Sequence, residues 1–178
     1  MRWPNSGTMV LIALAASMAA AQAQSKYGIG RPATPDEIAG WNIDIGRDGS
    51  SLPQGSGTVS HGHEIFVQQC AACHGEKAEG AVGDRLVGGQ GTLATAKPVR
   101  TVGSYWPYAP TLFDYIRRAM PQNAPQSLSN DDVYAVSAYI LSLNGIVPVD
   151  AMLDAKSLAA IRMPNRDGFG GDPRPDVK

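Results

Sequence analysis

The alternation of apolar and polar positions predicts three principal helices between Ser60 and Gly145. The first runs from Ser60, read as its N-cap, into Cys70, and stacks Gly62, Phe66 and Cys70 at i, i+4 and i+8. Gly62 on that stripe leaves room for a second helix to approach closely. The last of the three spans Ser129 to Asn144. Ser129-Asn130-Asp131-Asp132 has the form of a capping box, its acidic residues suit the positive end of a helix, and Asn144-Gly145 is a stop signal. Within it Val133, Val136, Ile140 and Leu143 form a core stripe at helical spacing, and Tyr139 is placed to lie over Gly62 and Phe66 where the two helices cross. Between them Pro110 to Ala119 makes a third helix, with Leu112, Ile116 and Ala119 on one face and Arg117-Arg118 beside it.

Three breaks in the pattern matter as much as the helices. Met120 precedes Pro121, and a proline steers the residue before it away from the α region, so Met120 is expected in extended backbone just past the helix end, free to point inward. Ala81 to Thr101 is Gly-rich and aperiodic, a long loop, and its Gly88-Gly89-Gln90-Gly91 run is too irregular for a phosphate-binding turn. The flanks, Ser25 to Val59 and Ile146 to Lys178, are heavy in Gly, Pro and charge. Two readings of them stay open. They are disordered tails, or they wrap the helical unit through Tyr27, Ile29, Ile38, Trp41, Ile43 and Ile45 on one side and Ile161, Met163 and Phe169 on the other.

Composition narrows the class. A chain of 178 residues with 43% hydrophobic residues suits one compact domain with added segments, and 15 Lys and Arg against 16 Asp and Glu, without a run of like charge, argue against nucleic acid as a partner. Arg2, the apolar stretch to Ala21 and Ala21-Gln22-Ala23 read as a cleaved secretory signal over residues 1–23, which places the mature chain in the periplasm. The apolar stretch Val10 to Ala21 falls short of the ~20 residues a membrane span needs, so no membrane anchor is expected.

Export usually brings disulfides, yet both cysteines sit in one local motif, Cys70-Ala71-Ala72-Cys73-His74, followed by Gly75. C-x-x-C-H is the signature of covalent haem attachment. One helical turn brings the thiols of Cys70 and Cys73 to nearly the same face, where each can add to one haem vinyl group, with His74 beneath the iron. A redox dithiol would not require His74. A closed zinc site needs more ligands than His61 and His63 supply at this spacing.

The second iron ligand is then the open question. His61 and His63 share the helix that carries the cysteines, reach the opposite haem face poorly and are read as surface histidines. Met152 and Met163 fall in an aperiodic tail, and Met1, Met9 and Met18 leave with the signal. Met120, after a helix and before a proline, is the expected ligand; its alternative role is that of a flexible core filler. Tyr105 and Trp106, in the loop before the middle helix, are candidates for haem-edge or propionate hydrogen bonds, with plain packing the competing reading. The expected fold is all-α, a class I cytochrome c fold with three main helices around one haem over residues 60–145, flanked by irregular extensions at 24–59 and 146–178.

The flanks carry a more specific signal. Tyr-Gly-Ile-Gly-Arg-Pro-Ala-Thr-Pro from Tyr27, Thr-Val-Gly-Ser-Tyr-Trp-Pro-Tyr-Ala from Thr101, Tyr-Ile-Arg-Arg-Ala-Met-Pro from Tyr115 and Met-Pro-Asn-Arg-Asp-Gly-Phe from Met163 resemble the cytochrome subunit of the Sox sulfur-oxidising system. The resemblance implies one covalent haem c on Cys70, Cys73, His74 and Met120. It implies a molybdenum-cofactor dehydrogenase subunit as partner, acting on sulfite or sulfane sulfur, with a downstream cytochrome as electron acceptor. Longer members carry a second cytochrome domain with its own C-x-x-C-H; this sequence has a single motif, so transfer through one haem is expected. On this reading the 24–59 extension docks the partner, and the chain is an electron-transfer subunit rather than a catalyst on its own. Two rivals stand beside it: a free-standing electron shuttle, and a peroxidase-like haem protein, which would need an open iron site.

Overall fold

The computed structural model describes residues 29–171 and Arg174. The expected signal segment and the start of the Tyr27 string lie outside the described residues. The chain divides into two compact units, one ending at Asn42 and one beginning at Ile43.

The described part of the first unit is a short helix, α1 (Pro35–Trp41). Local chemistry alone accounts for it. Thr34 and Glu37 form a reciprocal capping box, Pro35 opens the first turn, and the Arg31 guanidinium grips both carboxylate oxygens of Glu37. No residue of α1 is buried, and Trp41 is 89% exposed.

The second unit runs in the order β1 (Ser56–Thr58), α2 (Val59–Gln69), α3 (Ala71–His74), α4 (Ala109–Ala119), α5 (Asn130–Leu143), β2 (Met152–Asp154) and α6 (Ala155–Ala160). It is helix-dominated, with one small antiparallel ribbon that pairs Gly57 with Leu153. The middle helix and α5 fall where the periodicity places them, α5 with its Ser129–Asp132 capping box complete. The first helix differs at its start. Thr58, at the end of β1, is the N-cap and accepts from the His61 amide at 3.2 Å, so Ser60 lies inside the first turn.

The crossing of α2 and α5 organises the core. A Cβ on Gly62 would stand 1.9 Å from the Ala135 carbonyl oxygen, so the two backbones touch and only glycine fits. Tyr139 packs over this point with its ring 5.3 Å from that of Phe66. On the other side of α5, Phe113 of α4 meets Tyr134 at 4.4 Å between ring centres, and the Tyr134 hydroxyl donates to the Pro53 carbonyl at 2.7 Å.

Both flanks join this core. Ile45 is buried, and its amide donates to Asp114 Oδ1 of α4 at 3.1 Å, while Arg118 pairs with the other carboxylate oxygen. Leu153, Leu158 and Met163 are buried from the C-terminal side. Asn165 then donates to the Tyr105 carbonyl at 2.7 Å, Phe169 meets the Tyr105 ring edge-on, and Arg166 sits 4.4 Å over Tyr108. From Ile43 to Phe169, wrapping rather than loose tails describes the flanks, because scattered apolar residues such as Ile45 and Met163 each find a slot between helices.

Candidate haem site

Cys70 closes α2 as its C-cap, and the chain turns there into α3, a single helical turn that carries Cys73 and His74. The amides of Cys73 and His74 both donate to the Cys70 carbonyl, at 3.1 and 3.0 Å, and Gly75 ends the turn at φ +81°. The cysteines therefore share one turn, as the spacing requires, but that turn is offset from the helix before it. Both thiols are free; Cys73 is exposed and Cys70 half-buried. Burial, with a smaller contribution from Cys73, pushes the Cys70 thiol up to about 11. A redox dithiol needs the opposite shift, toward thiolate.

His74 is half-buried, and its Nδ1 lies 2.7 Å from the Asp84 carbonyl oxygen. A carbonyl only accepts, so Nδ1 carries a proton, and in the neutral ring this leaves the Nε2 lone pair free. That is the tautomer a metal-ligating imidazole uses, with the carbonyl fixing the ring's orientation and raising its basicity. The loop after the turn is tied down around it. Gly80 donates to the His74 carbonyl and Gly83 to the Cys73 carbonyl, each at 2.7 Å, and Leu86 donates to Ala78 at 2.9 Å. Gly83 sits against the ring itself: a Cβ there would come within 3.1 Å of His74 Cε1.

Met120 is the C-cap of α4 in extended backbone, φ −123° and ψ 144°, half-buried against the core. Its conformation is the one the following proline favours. Trp106 is half-buried with its ring edge-on to Tyr115, and Tyr105, 37% exposed, lies beneath Arg100 and beside Phe169. Among the described residues neither the Trp106 indole N–H nor the Tyr105 hydroxyl has a hydrogen-bond partner in the protein, so both donors are free to meet a ligand. An open cavity of about 310 Å³ beside Tyr105 is lined by Leu93, Pro98, Arg100, Asn165 and Phe169 among others.

His61 and His63 are drawn elsewhere. His61 is exposed, with Nε2 3.1 Å from Asp132 and Nδ1 3.6 Å from Glu64, and His63 stacks on Tyr139. Among the described residues no group of three or more His, Cys, Asp or Glu is arranged to hold a metal ion. The donor set fits a haem instead: two free thiols on one turn, an imidazole with Nε2 bare, a thioether in extended backbone and two unspent aromatic donors.

Two contributors were not singled out in the sequence. Asp84 acts through its carbonyl, which every residue type carries. Asn144, read only as a helix stop, donates through Nδ2 to the Leu86 and Ile140 carbonyls at 3.1 and 2.9 Å, and its Oδ1 accepts from the Gly88 amide at 3.0 Å. A polar side chain directly before the stop glycine was the one visible clue.

Helices α2, α4 and α5 around a C-x-x-C-H turn define a cytochrome c-type domain, and such a domain holds haem. Residues 57–140, from β1 into α5, match the family described as cytochrome c oxidase, cbb3-type, subunit III. The chain is also similar to a chain of the crystal structure of the sulfane dehydrogenase SoxCD from Paracoccus pantotrophus, with 44% identity, a TM-score of 0.78, and coverage of 84% of this chain and 74% of that one. The chain belongs to the family of Sox cytochrome subunits. The resemblance seen in the flanking strings is thereby established, and with it an electron-transfer role in sulfur oxidation. Among the described residues no helix is long and apolar enough to cross a membrane.

Proposed function

We propose that this chain is a periplasmic monohaem cytochrome c that accepts electrons from a molybdenum-containing sulfane or sulfite dehydrogenase subunit and passes them to a downstream cytochrome. The observation that carries this reading is the 44% identity, extending over both flanks as well as the haem domain, to a chain of a sulfane dehydrogenase. Similarity to a sulfane dehydrogenase favours sulfane sulfur over sulfite as the partner's substrate.

In this reading Cys70 and Cys73 would hold the cofactor by thioether bonds, and His74 Nε2 and the Met120 thioether would ligate its iron. When bound, the haem supplies a one-electron ferric/ferrous couple. The Asp84 carbonyl keeps His74 in the ligating tautomer. Met120 would occupy the iron position that a peroxidase-like reaction needs open, and a thioether ligand would favour the ferrous state. Trp106 and Tyr105 would hold polar groups at the haem edge. No acid–base group of this chain takes part, because no bond is made or broken on it.

The test is the purified native-host protein. The reading expects one haem per chain that acidified organic solvent does not extract, a six-coordinate low-spin spectrum with a sulfur-to-iron band, and co-purification with a molybdenum-containing subunit. Extractable haem or a high-spin resting spectrum would contradict the site assignment; a monomeric cytochrome that never meets such a subunit would favour the free shuttle.

A further inference from the structure

We infer that Asn144 is a positioning residue for the axial histidine, acting from the far end of α5 through the loop that carries Asp84. The inference rests on His74 as the haem ligand proposed above. Asn144 reaches Leu86, two residues beyond Asp84, through Nδ2 at 3.1 Å. The Leu86 amide is held from the opposite direction by the Ala78 carbonyl at 2.9 Å. Leu86 is thus clamped on both its backbone groups, and the short segment back to Asp84 has little freedom. Among the described residues, that segment presents the one carbonyl on His74 Nδ1, at 2.7 Å.

The same amide also donates to the Ile140 carbonyl of α5 at 2.9 Å, so one side chain ties the loop to the last turn of the helix. Oδ1 takes the Gly88 amide at 3.0 Å, and Gln90 Nε2 lies 3.3 Å from the Asn144 backbone carbonyl. A Cβ on Gly103 would stand 2.0 Å from Oδ1, so the returning limb of the loop passes close by this amide and a side chain at 103 would collide with it. Helix α5 is itself fixed to α2, the helix leading into the haem turn, by the Gly62–Ala135 contact. The Asn144 amide therefore references the Asp84 carbonyl to the same frame that positions His74. A helix stop alone accounts for the Ile140 contact, with Gly145 at φ +68° and the Ile146 amide on the Leu141 carbonyl, but not for the bonds to Leu86 and Gly88.

Loss of the clamp lets the Asp84 carbonyl drift from Nδ1. A weaker acceptor makes the imidazole a poorer donor to ferric iron, so the potential rises. The experiment uses haem-loaded protein with ¹⁵N-histidine and compares wild type with Asn144→Ala, Asn144→Asp and Ser129→Ala. Asn144→Asp has nearly the same shape and keeps the acceptor but deletes the donations to Leu86 and Ile140, and so serves if the alanine variant fails to fold. Ser129→Ala removes the cap at the other end of α5 and controls for helix stability.

The inference expects an upward shift of midpoint potential and roughly tenfold faster exchange of the His74 Nδ1 proton in the Asn144 variants, the loss of about one hydrogen bond, with neither change in Ser129→Ala. Unmoved potential and exchange in a folded Asn144 variant, or an equal response in Ser129→Ala, would overturn it. Absence of an iron-coupled histidine signal in the wild type would instead refute the ligand reading on which it rests.

Discussion

His74 is held by a backbone carbonyl: its Nδ1 lies 2.7 Å from Asp84 O, across a loop that leaves the haem turn and comes back to it. The ring also rests on Gly83, where a side chain would intrude at 3.1 Å from Cε1. His74, the Asp84 carbonyl and Gly83 form one unit, and under the proposed ligation the iron's properties would depend on all three.

Enlarging Gly83 tests that unit. Gly83→Val is expected to displace the imidazole from Asp84 and raise the midpoint potential, and each tenfold change in relative ferric affinity corresponds to about 59 mV for a one-electron couple. Protein-film voltammetry of the purified variant reads the shift; a potential within error of wild type would mean the ring is placed by other contacts.

Replacing Met120 tests the other side of the iron. Met120→Ala is expected to turn the low-spin spectrum high-spin and lower the potential by on the order of a hundred millivolts, a fraction of the ~0.8 V that axial ligation spans. An intact sulfur-to-iron band in that variant would assign the thioether to another methionine. Met163, buried in the core, is then the control that should leave the band in place when changed to Leu.

Much of this arrangement is legible in the sequence, and the reasons are physical. The Ser129–Asp132 capping box, the Tyr139 contact on Gly62 and Phe66, and Met120 in extended backbone each depend on a side-chain type at a fixed spacing, which a sequence displays. The Thr58 cap was missed because it depends on β1, a three-residue strand whose partner lies far along the chain at β2. Asp84 was missed because its carbonyl does the holding, and a carbonyl has no residue signature. Ile45 and Met163 were visible as apolar residues, but the slots they fill are created only when α4, α5 and the flanks come together.

The helix crossing sets stability. Gly62→Ala drives a methyl into the Ala135 backbone, where neither chain can give way, and is expected to cost about 3 kcal/mol. For a chain of this size that lowers the melting temperature by about 10 °C, read by circular dichroism on the haem-loaded protein. A melting point unchanged by this substitution would contradict the close contact of α2 with α5.

Acid should loosen the same helix pair. Burial alone pushes the Asp132 carboxyl up, but hydrogen bonds from the Ser129 hydroxyl, the His61 ring and the Ser129 amide outweigh it and leave the group below its ordinary 3.8. A carboxyl lowered on folding stabilises the native state above the ordinary value, and that contribution is lost as pH falls through the lowered one. Asp132→Asn is expected to cost about 1 kcal/mol at neutral pH and to flatten the stability profile below pH ~4. Denaturant titrations at neutral and acid pH give both numbers, and parallel profiles for the two proteins would count against the carboxylate's role.

The segment before Ile43 carries apolar residues that its own short helix leaves in solvent, Trp41 foremost. Deleting residues 25–42 behind the retained signal is expected to preserve haem incorporation and the visible spectrum while weakening the hold on a dehydrogenase partner at least tenfold, about 1.4 kcal/mol. The cut stops short of Ile45 because that residue belongs to the haem unit. Equal retention of the partner in pull-down would remove docking from this segment.

The central claim is that electrons from sulfur oxidation enter this chain at a haem held by Cys70, Cys73, His74 and Met120. Rapid mixing of the oxidised cytochrome with its molybdenum-containing partner and sulfur substrate, followed at the haem α-band, tests it directly. Full reduction of one haem per chain, dependent on both partner and substrate, is the expected result; a haem that stays ferric with both present would exclude this route of electron entry.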